Sequence, residues 1–294
     1  MKVKFWGVRG SIASPGPTTV RYGGNTTCIE VTTDKGETII LDAGTGIRAL
    51  GLELMKQEPV TANLVISHTH WDHIQGLPFF VPFFVPTTKI NVIGTFDPIY
   101  QKDLQSILDA QLEYCYFPVT SLELKADVTY RSLREGETVT IGDASITPVM
   151  MNHPVLTYGY RIECNGKSMF FSGDHEHPYN IYQPGEVGYD EFEELINQKV
   201  QRIVDVARDV DVFIIDTMYT EEEIHAKRGW GHGTFTSGLE MGQKANAKHI
   251  LFTHHDPMRS DDELDAIHDT LLQNQSDPNG PQLTIAKEGL EIVW

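Results

Sequence analysis

An apolar stretch, Asn63–Ser67, runs directly into Ser67-His68-Thr69-His70-Trp71-Asp72-His73, and no other segment constrains the chain as tightly. Three imidazoles and one carboxylate fall within His68–His73. Imidazole and carboxylate together suit Zn²⁺ and related divalent ions. In extended backbone His68 and His70 project to the same side, so both can reach one ion. A turn at Trp71 would then face Asp72 and His73 toward a second. A fold for such a segment must aim a buried strand at a loop and hold that loop still, because ligands are presented at the ends of rigid elements.

The rest of the chain supplies such elements. Lys2–Trp6 alternates polar and apolar and predicts a strand, followed by a Gly-rich loop from Gly7 through Gly24 and Asn25. Cys28–Thr33 and Thr38–Leu41 form a predicted hairpin, and Asp42-Ala43-Gly44-Thr45-Gly46 is a tight turn into a helix over Ile47–Lys56. Leu77–Pro86 carries Phe-Phe-Val-Pro twice, and its prolines exclude a central strand. Lys89–Gly94 is a strand, and Leu104, Ile107, Leu108 and Leu112 have helical spacing.

The second half restarts the theme with strands at Val139–Ile141, Ile146–Met151, Tyr158–Cys164 and Ser168–Phe171. A long amphipathic helix is marked by Phe192, Leu195, Ile196, Val200, Ile203, Val204 and Ala207. Val212–Ile215 and His249–Thr253 are buried strands, and two short strands close the chain near Trp294. Ser237 with Glu240, and Ser260 with Glu263, read as capping boxes opening helices toward Ala245 and Leu272. Two sets of strands, each with helices, predict two packed sheets flanked by helices.

The segment after Ser67 resembles the H-x-H-x-D-H motif of the metallo-β-lactamase superfamily. That pattern requires a further His, Asp and His in order, each after an apolar strand. His153 in Met151-Asn152-His153-Pro154, Asp174 in Phe171-Ser172-Gly173-Asp174 and His254 in Thr253-His254-His255 match it. The resemblance implies an α/β fold, a four-layer αβ/βα sandwich, over residues 1–294 as one domain. It implies His68, His70 and His153 on one metal, Asp72, His73 and His254 on a second, and Asp174 bridging both. His255 is the alternative last ligand; strand-end alignment favours His254. Zn is the expected metal, with Mn or Fe as alternatives, since His and Asp suit all three.

Gly231-His232-Gly233-Thr234 resembles the His-Ser-Thr-type motif of the superfamily's phosphodiesterase branch, which includes tRNA 3′-processing endonucleases. Gly233 replaces the Ser, so the match is partial. The resemblance implies that His232 protonates the leaving oxygen and that Asp216 orients it, fixing tautomer and supporting charge. Asp72 could also accept a proton from the attacking water. His175 and His177 read as solvated loop residues, with a neighbouring-ligand role as the alternative. His225, Lys227 and Arg228 are candidate phosphate contacts or ordinary surface residues, and the loop holding Arg9, Gly10 and Ser11 could approach the site or use its glycines only for tight turns. Phe79, Phe80, Phe83 and Phe84 could line a pocket, a subunit contact or the core, which leaves a homo-oligomer open.

Composition narrows the partners. The formal net charge of −18 opposes nucleic-acid backbones and anionic membranes within a Debye length of roughly 8–10 Å. A small anionic substrate is therefore expected, and long nucleic acid is not. Three cysteines without a C-x-x-C pair argue for a reducing, cytoplasmic setting. No apolar run approaches ~20 residues, and Met1–Gly10 has no signal pattern, so no membrane association is expected. The expected activity is a dinuclear-metal phosphodiesterase acting on a small or cyclic diester. The alternatives are acyl hydrolysis of a thioester, lactone or β-lactam, which does not require the His232–Asp216 pair, and a non-catalytic metal-sensing module.

Overall fold

The computed structural model describes residues 1–275, 277 and 279–294. The first half runs β1 (Lys2–Gly7), β2 (Cys28–Thr32), β3 (Thr38–Leu41), α1 (Ile47–Leu54), β4 (Thr61–Val65), α2 (Trp71–Ile74), β5 (Lys89–Gly94), α3 (Leu104–Asp109) and β6 (Asp127–Ser132). The second runs β7 (Val139–Ile141), β8 (Ala144–Met150), β9 (Tyr158–Cys164), β10 (Lys167–Phe171), α4 (Tyr189–Val206), β11 (Val212–Asp216), α5 (Phe235–Lys244), β12 (His249–Thr253), α6 (Asp261–Asn274), β13 (Gln282–Ile285) and β14 (Glu291–Val293).

These strands form two seven-stranded sheets, ordered β14-β1-β2-β3-β4-β5-β6 and β13-β12-β11-β10-β9-β8-β7. The C-terminal strand crosses back to pair with β1, Val3 opposite Ile292. Three apolar layers separate four structural ones. Between the sheets, Phe5, Val31, Leu41 and Val65 meet Tyr160, Ile162, Phe171 and Ile214. Outside the first sheet, Ile40 and Leu64 pack with Ile47, Leu50, Phe80 and Leu104. Outside the second, Phe213, Ile215 and Phe252 pack with Ile196, Ile203, Met241 and Leu264. The layering is that of an αβ/βα sandwich. It explains why β11 and β12 are buried at every residue: each is covered on both faces, so Val212–Ile215 and Ile250–Phe252 are apolar runs rather than alternations.

β3 to β6 are mutually parallel, and so are β10 to β13. In parallel sheets the loops at the carboxyl ends of the strands form the ligand crevice, and the loops after β4, β10 and β12 carry the His and Asp residues singled out above. Among the described residues no helix is long and apolar enough to cross a membrane.

Two local expectations change. The cap of α5 is Thr234, whose hydroxyl accepts the Ser237 amide at 3.0 Å in a capping box with Ser237 at its third position. Ser237 therefore lies inside the helix, and Ser237–Glu240 is not its start. The strand β6 adds to the sequence reading: in Asp127–Ser132 only Val128 and Tyr130 are apolar, and both are half-buried, so the alternation is short. Phe80 and Phe83 are core, whereas Phe79 is exposed.

Candidate metal centre

β4 ends at Val65, and the chain bends at Ser67 before His70, in extended backbone, precedes the single-turn helix α2. That turn reverses the direction in which side chains point. His68 and His70 fall in one group with His153 and Asp174, and Asp72 and His73 fall in another with Asp174 and His254. Within each group the candidate ligand atoms all lie within 4.8 Å of one another. Asp174 belongs to both. His153 follows β8 and Asp174 follows β10. His254 follows β12 with a φ of 63°, a left-handed conformation uncommon outside glycine. His254 Nε2 lies 3.2 Å from His73 Nε2 and 3.1 Å from Asp174 Oδ1. His255 faces elsewhere: it is buried, and its Nε2 donates to Ala286 O at 2.8 Å.

The rings are held from behind. His73 Nδ1 donates to Asp42 Oδ2 at 2.8 Å, and His153 Nδ1 donates to Gly231 O at 2.8 Å. His68 Nδ1 lies 3.1 Å from Ser67 Oγ, which donates to Asp42 Oδ2 at 2.8 Å. Each of these bonds puts the proton on Nδ1 and leaves an Nε2 lone pair facing inward, the arrangement in which a histidine binds a metal. His68 Nε2 and Asp174 Oδ1 are buried without a hydrogen-bonded partner. His153 Nε2 and His70 Nδ1 stand 3.0 Å apart. Inward lone pairs this close, with orphaned acceptors among them, fit bound cations.

The electrostatics agree. Burial opposes charge on His73, but Asp174, Asp72 and Asp42 outweigh it and hold the ring well above its ordinary value. Burial likewise opposes charge on His254, and Asp174 and Asp216 overcome it. On the other side of Asp174, burial dominates: it depresses His68 strongly and pulls His153 down to about 4. Carboxylates thus demand positive charge in the pocket, and two rings are set to meet it as neutral ligands.

His232 sits beside this cluster in the loop before α5. Its ring stacks on His254 with centroids 4.9 Å apart, and its Nδ1 lies 2.9 Å from Asp216 Oδ2. Burial opposes its charge, but Asp216 and then Asp174 raise its pKa above the ordinary histidine value. Asp216, the last residue of β11, also accepts the His175 amide at 3.1 Å. A third group of ligand-type atoms unites Asp174, Asp216, His232 and His254, so His232 and the cluster form one constellation.

Several residues differ from the sequence reading. His175 is buried, not solvated, and burial drives it down to about 3; its Nδ1 accepts the Asn152 amide. Asp42, read as part of a turn, instead supports His73 and Ser67 from the end of β3. Glu176, passed over in sequence, is buried and accepts the amides of Gly229 and Gly231, anchoring the loop whose carbonyl holds His153. Two hollows flank that loop, about 230 Å³ beside His232 and about 290 Å³ beside His153. A wider surface hollow of about 580 Å³, lined by Asp143, Arg161 and Lys167, includes none of the cluster.

Known proteins share this fold. A family model described as a β-lactamase superfamily domain matches residues 37–255. Ribonuclease Z of Agathobacter rectalis is 25% identical over 265 residues, spanning 80% of this chain and 84% of that protein. The metallo-β-lactamase fold protein YhfI of Bacillus subtilis superposes with a TM-score of 0.67 at 17% identity, over 99% of both chains. A diphosphatase of the PhnP family superposes with a TM-score of 0.65 at 17% identity, over 100% of this chain and 97% of that one. With its model spanning the strand-end histidines and aspartates from β4 to β12, the chain belongs to the β-lactamase superfamily and has the metallo-β-lactamase fold.

Proposed function

We propose that this hydrolase is a dinuclear-metal phosphodiesterase acting on a small or cyclic phosphodiester. His68, His70 and His153 would hold one ion, Asp72, His73 and His254 the other, with Asp174 common to both groups. Two divalent ions, zinc in the first instance and Mn or Fe as alternatives, would supply Lewis acidity there. Asp72 accepts the proton released by the attacking water. His232, protonated and oriented through Nδ1 by Asp216, delivers a proton from Nε2 to the leaving alkoxide.

The observation that carries this reading is the His232–Asp216 contact of 2.9 Å placed against the His254 ring. A thiolate leaves a thioester without the help of an acid, whereas an alkoxide leaving from phosphorus gains from one. The relative named Ribonuclease Z supports phosphodiester chemistry. The net charge of −18 and hollows of about 230 and 290 Å³ beside His232 and His153 support a small substrate over a long one. That same relative makes RNA the second reading. The thiols of Cys28, Cys115 and Cys164 are all free, in keeping with a cytoplasmic setting. The return of β14 from the second half to pair with β1 supports one folding unit over residues 1–294.

The test is metal analysis of the purified protein, followed by a substrate panel of cyclic and linear diesters, a tRNA precursor, a phosphomonoester, a thioester and a lactone. Turnover of small diesters with two ions bound supports the reading. Turnover of the tRNA precursor alone supports the second. Thioester or lactone turnover without diester turnover contradicts both.

A further inference from the structure

Arg9 is fully buried, one of the largest side chains in the molecule with no exposure, yet its charge serves neither substrate nor surface. Its Nε donates to Gly23 O at 2.8 Å, and its Nη1 donates to Asp256 O at 3.1 Å and Arg259 O at 2.7 Å. The nearest carboxylate is that of Asp261, 3.7 Å away and itself buried. One guanidinium thus fastens the Gly-rich loop after β1 to the loop after β12.

The residues beside Arg9 continue the strap into the metal centre. His255 donates its amide to Val8 O at 2.9 Å, and Gly10 donates to His255 O at 3.0 Å. Ser11, in left-handed backbone at φ 60°, donates its amide to Asp72 Oδ2 at 2.6 Å. A Cβ on Gly10 would lie 2.3 Å from His254 Cε1 and 2.4 Å from its Nδ1, so the backbone lies flat against the imidazole. His254 itself occupies a left-handed conformation that persists only where its surroundings over-determine it. Asp72 and His254 belong to one ligand group, and both lean on residues 8–11.

We infer that Arg9 is a positioning residue for the half-site formed by Asp72, His73 and His254, fixing the backbone that aims His254 and the amide that orients Asp72. A lysine keeps the charge but cannot span three carbonyls, because a single ammonium lacks the fork of the guanidinium. No hydrogen bond joins the His68, His70 or His153 side chain to residues 8–11, so their half-site should stay intact. The inference rests on the two-ion reading. A wild-type protein that never binds two ions defeats that reading before any variant is compared.

The experiment is zinc retention by the full-length holoprotein across a graded chelator series, with melting temperature recorded in parallel. His254→Ala and His153→Ala serve as references for loss at one half-site or the other. Arg9→Lys should remain folded, hold one zinc as firmly as wild type, and release the second at roughly 10–100-fold lower chelator, as for other residues that orient ligands. Gly10→Ala, which keeps Arg9 and presses on His254, should weaken the same ion. Should Arg9→Lys fail to fold, Gly10→Ala decides alone. Retention of both ions at the wild-type midpoint overturns the inference, and so does equal weakening of both, which a merely structural role would give.

Discussion

The Asp216 carboxylate stands 2.9 Å from His232 Nδ1 through one oxygen and 3.5 Å from His254 Nδ1 through the other. The end of β11 is thereby tied to both the candidate acid and a candidate ligand. Asp216→Asn keeps the shape but removes the negative charge that raises His232. It should slow cleavage of alkyl diesters more than of nitrophenyl diesters, and less than loss of His232 does. Steady-state rates on both substrate types, with metal content measured alongside, check this. A uniform loss that follows lost metal would make Asp216 a support of His254 alone.

The adjacent pair His254 and His255 should behave in opposite ways. His254→Ala should lose bound metal and activity together. His255→Ala should keep its metal and instead lose stability, about 1–3 kcal/mol for the Ala286 carbonyl left without its donor. Metal analysis and denaturant unfolding of the two variants check the assignment. Metal lost from His255→Ala alone would reverse it.

Chelation should lower thermal stability as well as activity. Buried Asp42, Asp72, Asp174 and Asp216 converge on the cluster, and an ion that binds only the folded chain stabilises it by mass action. At a free concentration 100 times Kd the gain is about 2.7 kcal/mol. The melting temperature should fall on chelation and recover when zinc is added back. An unchanged melting temperature would mean that the cluster binds nothing tightly.

The cluster was legible because its parts lie at strand ends in a fixed order. A strand such as Val212–Ile215 announces itself by an unbroken apolar run, and the ligand-type residue follows at once. What supports the ligands was not legible. Asp42 reaches His73 across 31 positions, and Arg9 reaches Arg259 across 250. Neither pairing leaves a trace in local spacing. The α5 cap was misplaced by three residues because Thr234 and Ser237 are both competent caps, and only the backbone chooses between them. His175 looked solvated in a polar loop, and only packing shows it to be buried.

The most direct test of the central claim is the leaving-group dependence of His232→Ala. An alkoxide leaves poorly without a proton, and a nitrophenolate leaves well without one. General acid catalysis is worth about 10²–10⁴ in rate. His232→Ala should lose about that much on an alkyl-leaving diester, lose far less on bis-nitrophenyl phosphate, and keep both metal ions. Equal losses on the two substrates with metal retained would contradict the account.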